Sequence, residues 1–184
     1  MILSALGSCQ KDVILEDNTE SGITHDSLIQ LLDAEWKFKA PEYSDDVFYA
    51  LNNWEEWRMM INNLEKKPAK SISAYQKKVS DLLNQIESLP ETLPEGFQNQ
   101  AILSRINLLK THAQTLDMLL ELNPIPYKET LPYFNLIQKD IRSIANQFQE
   151  VITKKNIPIE SGEEQVRISV DTVRRAQINA IPTE

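Results

Sequence analysis

The sequence predicts an all-α fold, an antiparallel up-down-up-down four-helix bundle with a short helix ahead of it, and three observations carry that reading. Only 4 glycines stand against 9 prolines, and the prolines gather between apolar-periodic stretches, a composition of long helices with sharp stops rather than of a turn-rich sheet. Four stretches repeat apolar residues at alternating intervals of three and four, the spacing that keeps side chains on one helical seam. The linkers between them are short, so consecutive helices must lie side by side and reverse direction. A chain of 184 residues is long enough for one core and short for two. Residues 24–157 are therefore read as one bundle domain, with 9–23 as a flexible tether before it and 158–184 as a tail, partly disordered or a short helix, after it.

Taken in order, Thr24-His25-Asp26-Ser27 can open a short helix that buries Leu28, Leu31, Leu32 and Trp36. Trp36-Lys37-Phe38-Lys39 alternates like a strand for too few residues to count as one, and then meets Pro41, so 36–43 is read as a loop. The first bundle helix carries Val47, Ala50, Trp54, Trp57, Ile61 and Leu64 on its seam, with Ser44, Asp45 and Asp46 supplying a cap and negative charge at its start. The second carries Ile72, Tyr75, Val79, Leu82, Ile86 and Leu89 and is expected to stop before Pro90. The third carries Ile102, Ile106, Leu109, Ala113, Leu116 and Leu120 behind Thr92-Leu93-Pro94-Glu95, which reads as a capping box with proline in the first turn. The fourth begins near Thr130-Leu131-Pro132, carries Phe134, Ile137, Ile141, Ile144, Phe148 and Val151, and stops before Pro158. Beyond it, Ser161-Gly162-Glu163-Glu164 resembles another capping box, whereas Val166, Ile168 and Val170 alternate with period two; both readings of the tail stay open.

A formal charge of −8 repels phosphate backbones. The pairs Lys66/Lys67, Lys77/Lys78, Lys154/Lys155 and Arg174/Arg175 are scattered rather than gathered into one basic run. No nucleic-acid partner is expected, and no apolar run approaches the roughly 18 to 20 residues that span a bilayer. The sequence has no metal-ligand spacing, Cys-x-x-Cys pair, phosphate-cradling glycine loop or Gly-x-Ser-x-Gly elbow. The expectation is a protein that is not an enzyme and holds no cofactor or metal. His112, which with Met59 or Met60 could in principle hold a haem between helices, lies beside its seam and reads as an ordinary boundary histidine.

The most unusual feature is aromatic. Trp54 and Trp57, with Phe48 and Tyr49 close by, could fill the core beside small Ala50, or could line a pocket or anchor a partner. The Pro124-Ile125-Pro126-Tyr127 linker puts apolar groups on a stiff backbone, which would cover a bundle end or dock a partner. Trp54, Trp57 and Tyr127 are therefore the candidate ligand or partner surface.

At the start of the chain an apolar run, Met1-Ile2-Leu3-Ser4-Ala5, leads into Leu6-Gly7-Ser8-Cys9, and Cys9 is the only cysteine. This order resembles the lipobox of bacterial lipoproteins. The resemblance implies cleavage before Cys9, lipidation of Cys9 as the new N-terminus, and a polar tether beyond it. No Lys or Arg precedes Cys9, so residues 1–8 are read as a truncated signal segment. The layout is similar to small helical lipoproteins of outer-membraned bacteria. It implies a cell-envelope protein on the outer membrane, facing the periplasm or the surface and anchored to the membrane through Cys9, with a cytoplasmic address as the alternative. The expected function is a non-enzymatic one, presenting a helical bundle to an unknown protein partner; the alternative is a bundle that binds an apolar small molecule between the first and third helices. The oligomeric state stays open.

Overall fold

The computed structural model describes residues 23–157, and these are all-helical with no strand. Leu6 to Cys9, most of the expected tether and the tail with its Ser161 box lie outside the described residues. The helices are α1 (His25–Glu35), α2 (Asp45–Leu51), α3 (Glu55–Glu65), α4 (Ile72–Thr92), α5 (Gln100–Leu120), α6 (Tyr127–Thr130) and α7 (Pro132–Asn156). Helix α4 packs on α3 and α5, α5 packs on α7, α2 packs on α7, and the short α6 packs on both α5 and α7. One apolar core runs through them.

The expected α1 forms for the expected reason. Thr24 sits in extended backbone and its hydroxyl accepts from the Ser27 amide, satisfying a donor that the first turn leaves open. Its buried face is Leu28, Ile29 and Leu32; Leu31 is only half-buried. The loop after it is irregular, as expected, yet its alternation has a use. Trp36 and Phe38 turn inward, 2% and 8% exposed, and Lys37 and Lys39 outward. The Trp36 ring meets Phe38, Tyr75 and Phe134 edge-on, and its indole nitrogen donates to the Leu64 carbonyl at 2.9 Å.

The first long helix is where the sequence reading needs correction. It is two helices, α2 and α3, broken at Asn52, Asn53 and Trp54. Two asparagines in succession favour local side-chain hydrogen bonds over helix continuation, and Glu55 and Glu56 sit in the first turn of α3, where the helix dipole favours negative charge. The break shifts the helical phase. Ala50, assigned to the seam, is exposed, and Leu51 is buried in its stead beside Val47.

Two helix ends also differ from expectation. Helix α4 does not stop before Pro90 but runs to Thr92. A proline in the last turn deletes one backbone hydrogen bond where the ladder is ending anyway, and the Thr92 hydroxyl donates to the Ser88 carbonyl while accepting from Trp54. Thr92 therefore closes α4 rather than capping α5. Pro94-Glu95 leads into a 3₁₀ turn, Glu95–Phe97, that inserts Phe97 into the core. The cap of α5 is Asn99, whose side chain accepts from the Ile102 amide at 3.0 Å. Helix α7 starts with Pro132 in its first turn, as read. A one-turn helix, α6, precedes it, held by the Thr130 hydroxyl donating to the Pro126 carbonyl.

Most seam residues of α4, α5 and α7 are buried; Ile72 and Val151, at the ends, are half-buried. Helix α7 also buries Gln138, Asp140 and Gln147. Each has a partner, and an unpaired polar group in a core would cost about 1–3 kcal/mol. Gln138 accepts from the Lys39 amide and donates to the Lys39 carbonyl, so a side chain of α7 completes the backbone pairing of the 36–44 loop.

Candidate functional site

The aromatic group resolves into an inner and an outer set. Trp54 and Trp57 are both 2% exposed. Their rings stack at 5.5 Å with an interplanar angle of 15°, and both meet Phe148 edge-on, which in turn meets Phe97. Both indole nitrogens are engaged: Trp54 donates to the Thr92 hydroxyl at 3.0 Å and Trp57 to the Tyr43 hydroxyl at 2.7 Å. Burial raises the Tyr43 hydroxyl to about 12, a shift the Trp57 hydrogen bond opposes, so it stays a neutral acceptor. These tryptophans are core, and the space they fill is bounded by Phe148 and Phe97 rather than by Ala50. Tyr127 is half-buried and packs against the core.

The rings that face water are their neighbours on α2. Val47 and Leu51, one turn apart, turn inward. Phe48 and Tyr49 are left on the outside, 57% and 74% exposed, and lean on each other edge-on with ring centroids 5.9 Å apart. Along the chain the charges nearest them are of one sign: Glu42, Asp45, Asp46, Glu55 and Glu56 fall between positions 41 and 57, ahead of Arg58. The Ser44 hydroxyl accepts from the Val47 amide and fixes the start of the helix. Helix α2 packs on α7, the helix that carries Phe148. The result is an exposed aromatic pair with acidic residues close by along the chain.

Clefts open elsewhere on the described surface. One of about 490 Å³ lies between the 36–44 loop and α7, beside Lys39, Gln138 and Arg142. A second of about 620 Å³ lies between α3 and α4 and is lined largely by amides, among them Asn62, Asn63 and Asn84. A third of about 520 Å³ lies beside Glu35, Leu131 and Leu136. Neither Trp54 nor Trp57 lines any of the three.

One polar pair escaped the sequence reading. His112 Nδ1 lies 2.6 Å from Asp140 Oδ2, joining α5 to α7, with the Tyr133 ring edge-on to the imidazole. Burial pushes the Asp140 carboxyl above the usual aspartate range, while the hydrogen bond and charge of His112, and the charge of Lys139, pull it back. The signal was present in the spacing: His112 precedes seam residue Ala113 by one position and Asp140 precedes seam residue Ile141 by one, so both flank the same contact. Of the haem candidates, Met60 is buried and Met59 is 55% exposed. Among the described residues no group of three or more His, Cys, Asp or Glu side chains converges as a metal site. Among them, too, no helix is long and apolar enough to cross a membrane. Cys9 lies outside the described residues. Comparison of the chain with protein families, with curated proteins and with solved structures finds no match.

Proposed function

We propose that this protein is a non-enzymatic, lipid-anchored component of the bacterial cell envelope whose helical bundle docks a protein partner through Phe48 and Tyr49. The observation that carries the reading is the solvent-facing aromatic pair, because two large rings leaning on each other in water match the aromatic anchors that dominate binding energy at interfaces. The acidic residues close by along the chain select the partner's chemistry. A basic segment with apolar side chains would bury the rings and be steered by the carboxylates.

The architecture proposed with it is the antiparallel up-down-up-down bundle, its first arm being α2 and α3 together. Residue pairs across neighbouring helices support it, since numbers rise on one helix as they fall on the next. Trp54 meets Thr92 and Asn63 meets Gln85; Gln76 meets the Leu120 carbonyl and Lys110 meets Glu87; Arg105 meets Ser143 and His112 meets Asp140. The address rests on Leu6-Gly7-Ser8-Cys9, and the mass of the native chain tests it: a start at Cys9 with added acyl mass is expected, and a retained Met1 overturns it. The docking face is tested on intact cells with a photocrosslinking residue in place of Tyr49 and, as a control, of Asn84. A discrete adduct from position 49 alone, lost on Phe48→Asp and weakened by salt, is the expected result. Equal labelling from both positions, or none from position 49, rejects the face.

A further inference from the structure

Helix α5 has an outer face unlike that of any other described helix. Every exposed residue between Gln100 and Leu120 is uncharged. The exposed faces of the other long helices carry charge: Arg58 and Glu65 on α3, Lys77 and Glu87 on α4, Lys139 and Arg142 on α7. Helix α5 has charged residues, but they are drawn to its flanks. Arg105 donates to Ser143 on α7 at 3.2 Å, and Lys110 pairs with Glu87 on α4 at 3.0 Å. Asp117 is half-buried, and what remains is an uncharged stripe of Ser104, Leu108, Thr111, half-buried Thr115, Met118 and, just past the helix end beside exposed Glu121, Leu122, with the exposed amides of Gln100, Asn107 and Gln114 along one side. Leu108, Met118 and Leu122 are 47%, 57% and 47% exposed.

The threonines on this stripe need little from water. The Thr111 hydroxyl donates to the Asn107 carbonyl and the Thr115 hydroxyl to the Thr111 carbonyl, each at 2.9 Å, so both donors are satisfied within the helix. Covering them forfeits few hydrogen bonds, which lowers the cost of drying the face. The stripe spans about 27 Å at the rise of an α-helix. Its intervals of four, three, four, three and four read the same in either direction.

We propose that this face joins two copies of the chain, α5 against α5, in an antiparallel two-fold dimer. Charge argues for a second copy over a different partner. A two-fold contact sets a surface against itself, so in a chain of net charge −8 a face of one sign would repel its own image. The α5 stripe is the neutral exception, whereas a basic partner would be drawn to the acidic residues of α2 and its flanks. With the axis passing between Thr111 and Thr115, Leu108 of one copy meets Met118 of the other, Thr111 meets Thr115, and Ser104 meets Leu122. The two threonines at the centre are small enough for close approach, and the larger apolar groups flank them on both sides.

The test is sedimentation of the full chain under reducing conditions, which keep Cys9 from bridging two chains, with circular dichroism as the check on folding. The wild type is expected to sediment as a dimer at micromolar concentration. Leu108→Lys and Met118→Glu should each weaken dimerisation by roughly tenfold or more through burial of an unpaired charge. Combined in one chain they should restore it, since the proposed register sets position 108 of one copy against position 118 of the other at two symmetric points, and the two introduced charges are opposite. A monomeric wild type overturns the proposal and leaves the stripe to residues 158–184 or to another protein. Single variants that stay fully dimeric overturn it as well, and a double variant no better than the singles overturns the antiparallel register.

Discussion

His112 and Asp140 tie α5 to α7 through one short contact at the edge of the core, and its worth depends on what is left when either partner goes. Asp140 is 4% exposed, so His112→Ala strands a carboxylate with little access to water. Breaking a fully buried pair costs about 3–5 kcal/mol; the partly exposed imidazole edge lets water in, which brings the expected loss to about 2–3 kcal/mol at neutral pH. The pH dependence has a definite sign. Burial holds the native Asp140 carboxyl above its unfolded value of 3.8, so between those two values the native chain binds more protons than the unfolded one. Stability therefore falls as pH rises through that window. Urea denaturation as pH rises above the unfolded aspartate value should show the wild type losing ground to Asp140→Asn, whose amide keeps a hydrogen-bonding group without the charge. Parallel profiles would mean that another group governs the slope. Nothing in the sequence names this pair outright, because a lone histidine and one aspartate among many acids carry no motif, and only a registration of the two seams brings them together.

Helix ends show how local chemistry competes for the same role. Thr92-Leu93-Pro94-Glu95 has the residues of an N-terminal cap, but the Thr92 hydroxyl is already committed to Ser88 and Trp54, and Asn99 does the capping. Asn99→Ala should cost about 1 kcal/mol, whereas Glu95→Ala should stay within about 0.5 kcal/mol of the wild type; thermal melts of the two distinguish the starts. The seams of α4, α5 and α7 were legible because each lies on an unbroken helix, where a period set anywhere holds throughout. The α2 and α3 seam was legible only in part. A short break at Asn52 and Asn53 resets the phase: Trp54 and Trp57 beyond it, which the sequence offers as core or as a partner surface, are buried, and Ala50 before it is exposed. The same reset hides the candidate site. Phe48 and Tyr49 belong visibly to an aromatic cluster in the sequence, but which members face water depends on a rotation that only the fold supplies.

Across the described residues, the amino-acid pattern and the structure agree on an all-helical fold built around one core. The seam of α5 predicts which face turns inward, so its neutral stripe follows by subtraction, whereas the outward turn of Phe48 and Tyr49 on α2 is settled only by the fold. The two surfaces differ in the kind of partner they fit, so they are separable by substitution. Phe48→Asp removes an exposed ring and should leave dimerisation untouched, whereas Leu108→Lys should weaken dimerisation and leave the crosslink from position 49 in place; sedimentation and crosslinking on the same pair of variants read both.

The clasp between Lys39 and Gln138 bears on the order in which the chain assembles. It closes across 99 positions, whereas the links from α3 to α4 and from α4 to α5 join near neighbours along the chain. Closing a long loop costs more entropy and is rewarded only once its landing site exists. The contact between the 36–44 loop and α7 is therefore expected to close after the α3–α4 and α4–α5 pairs, whereas Trp36, tied to Leu64 only 28 positions away, can dock before it.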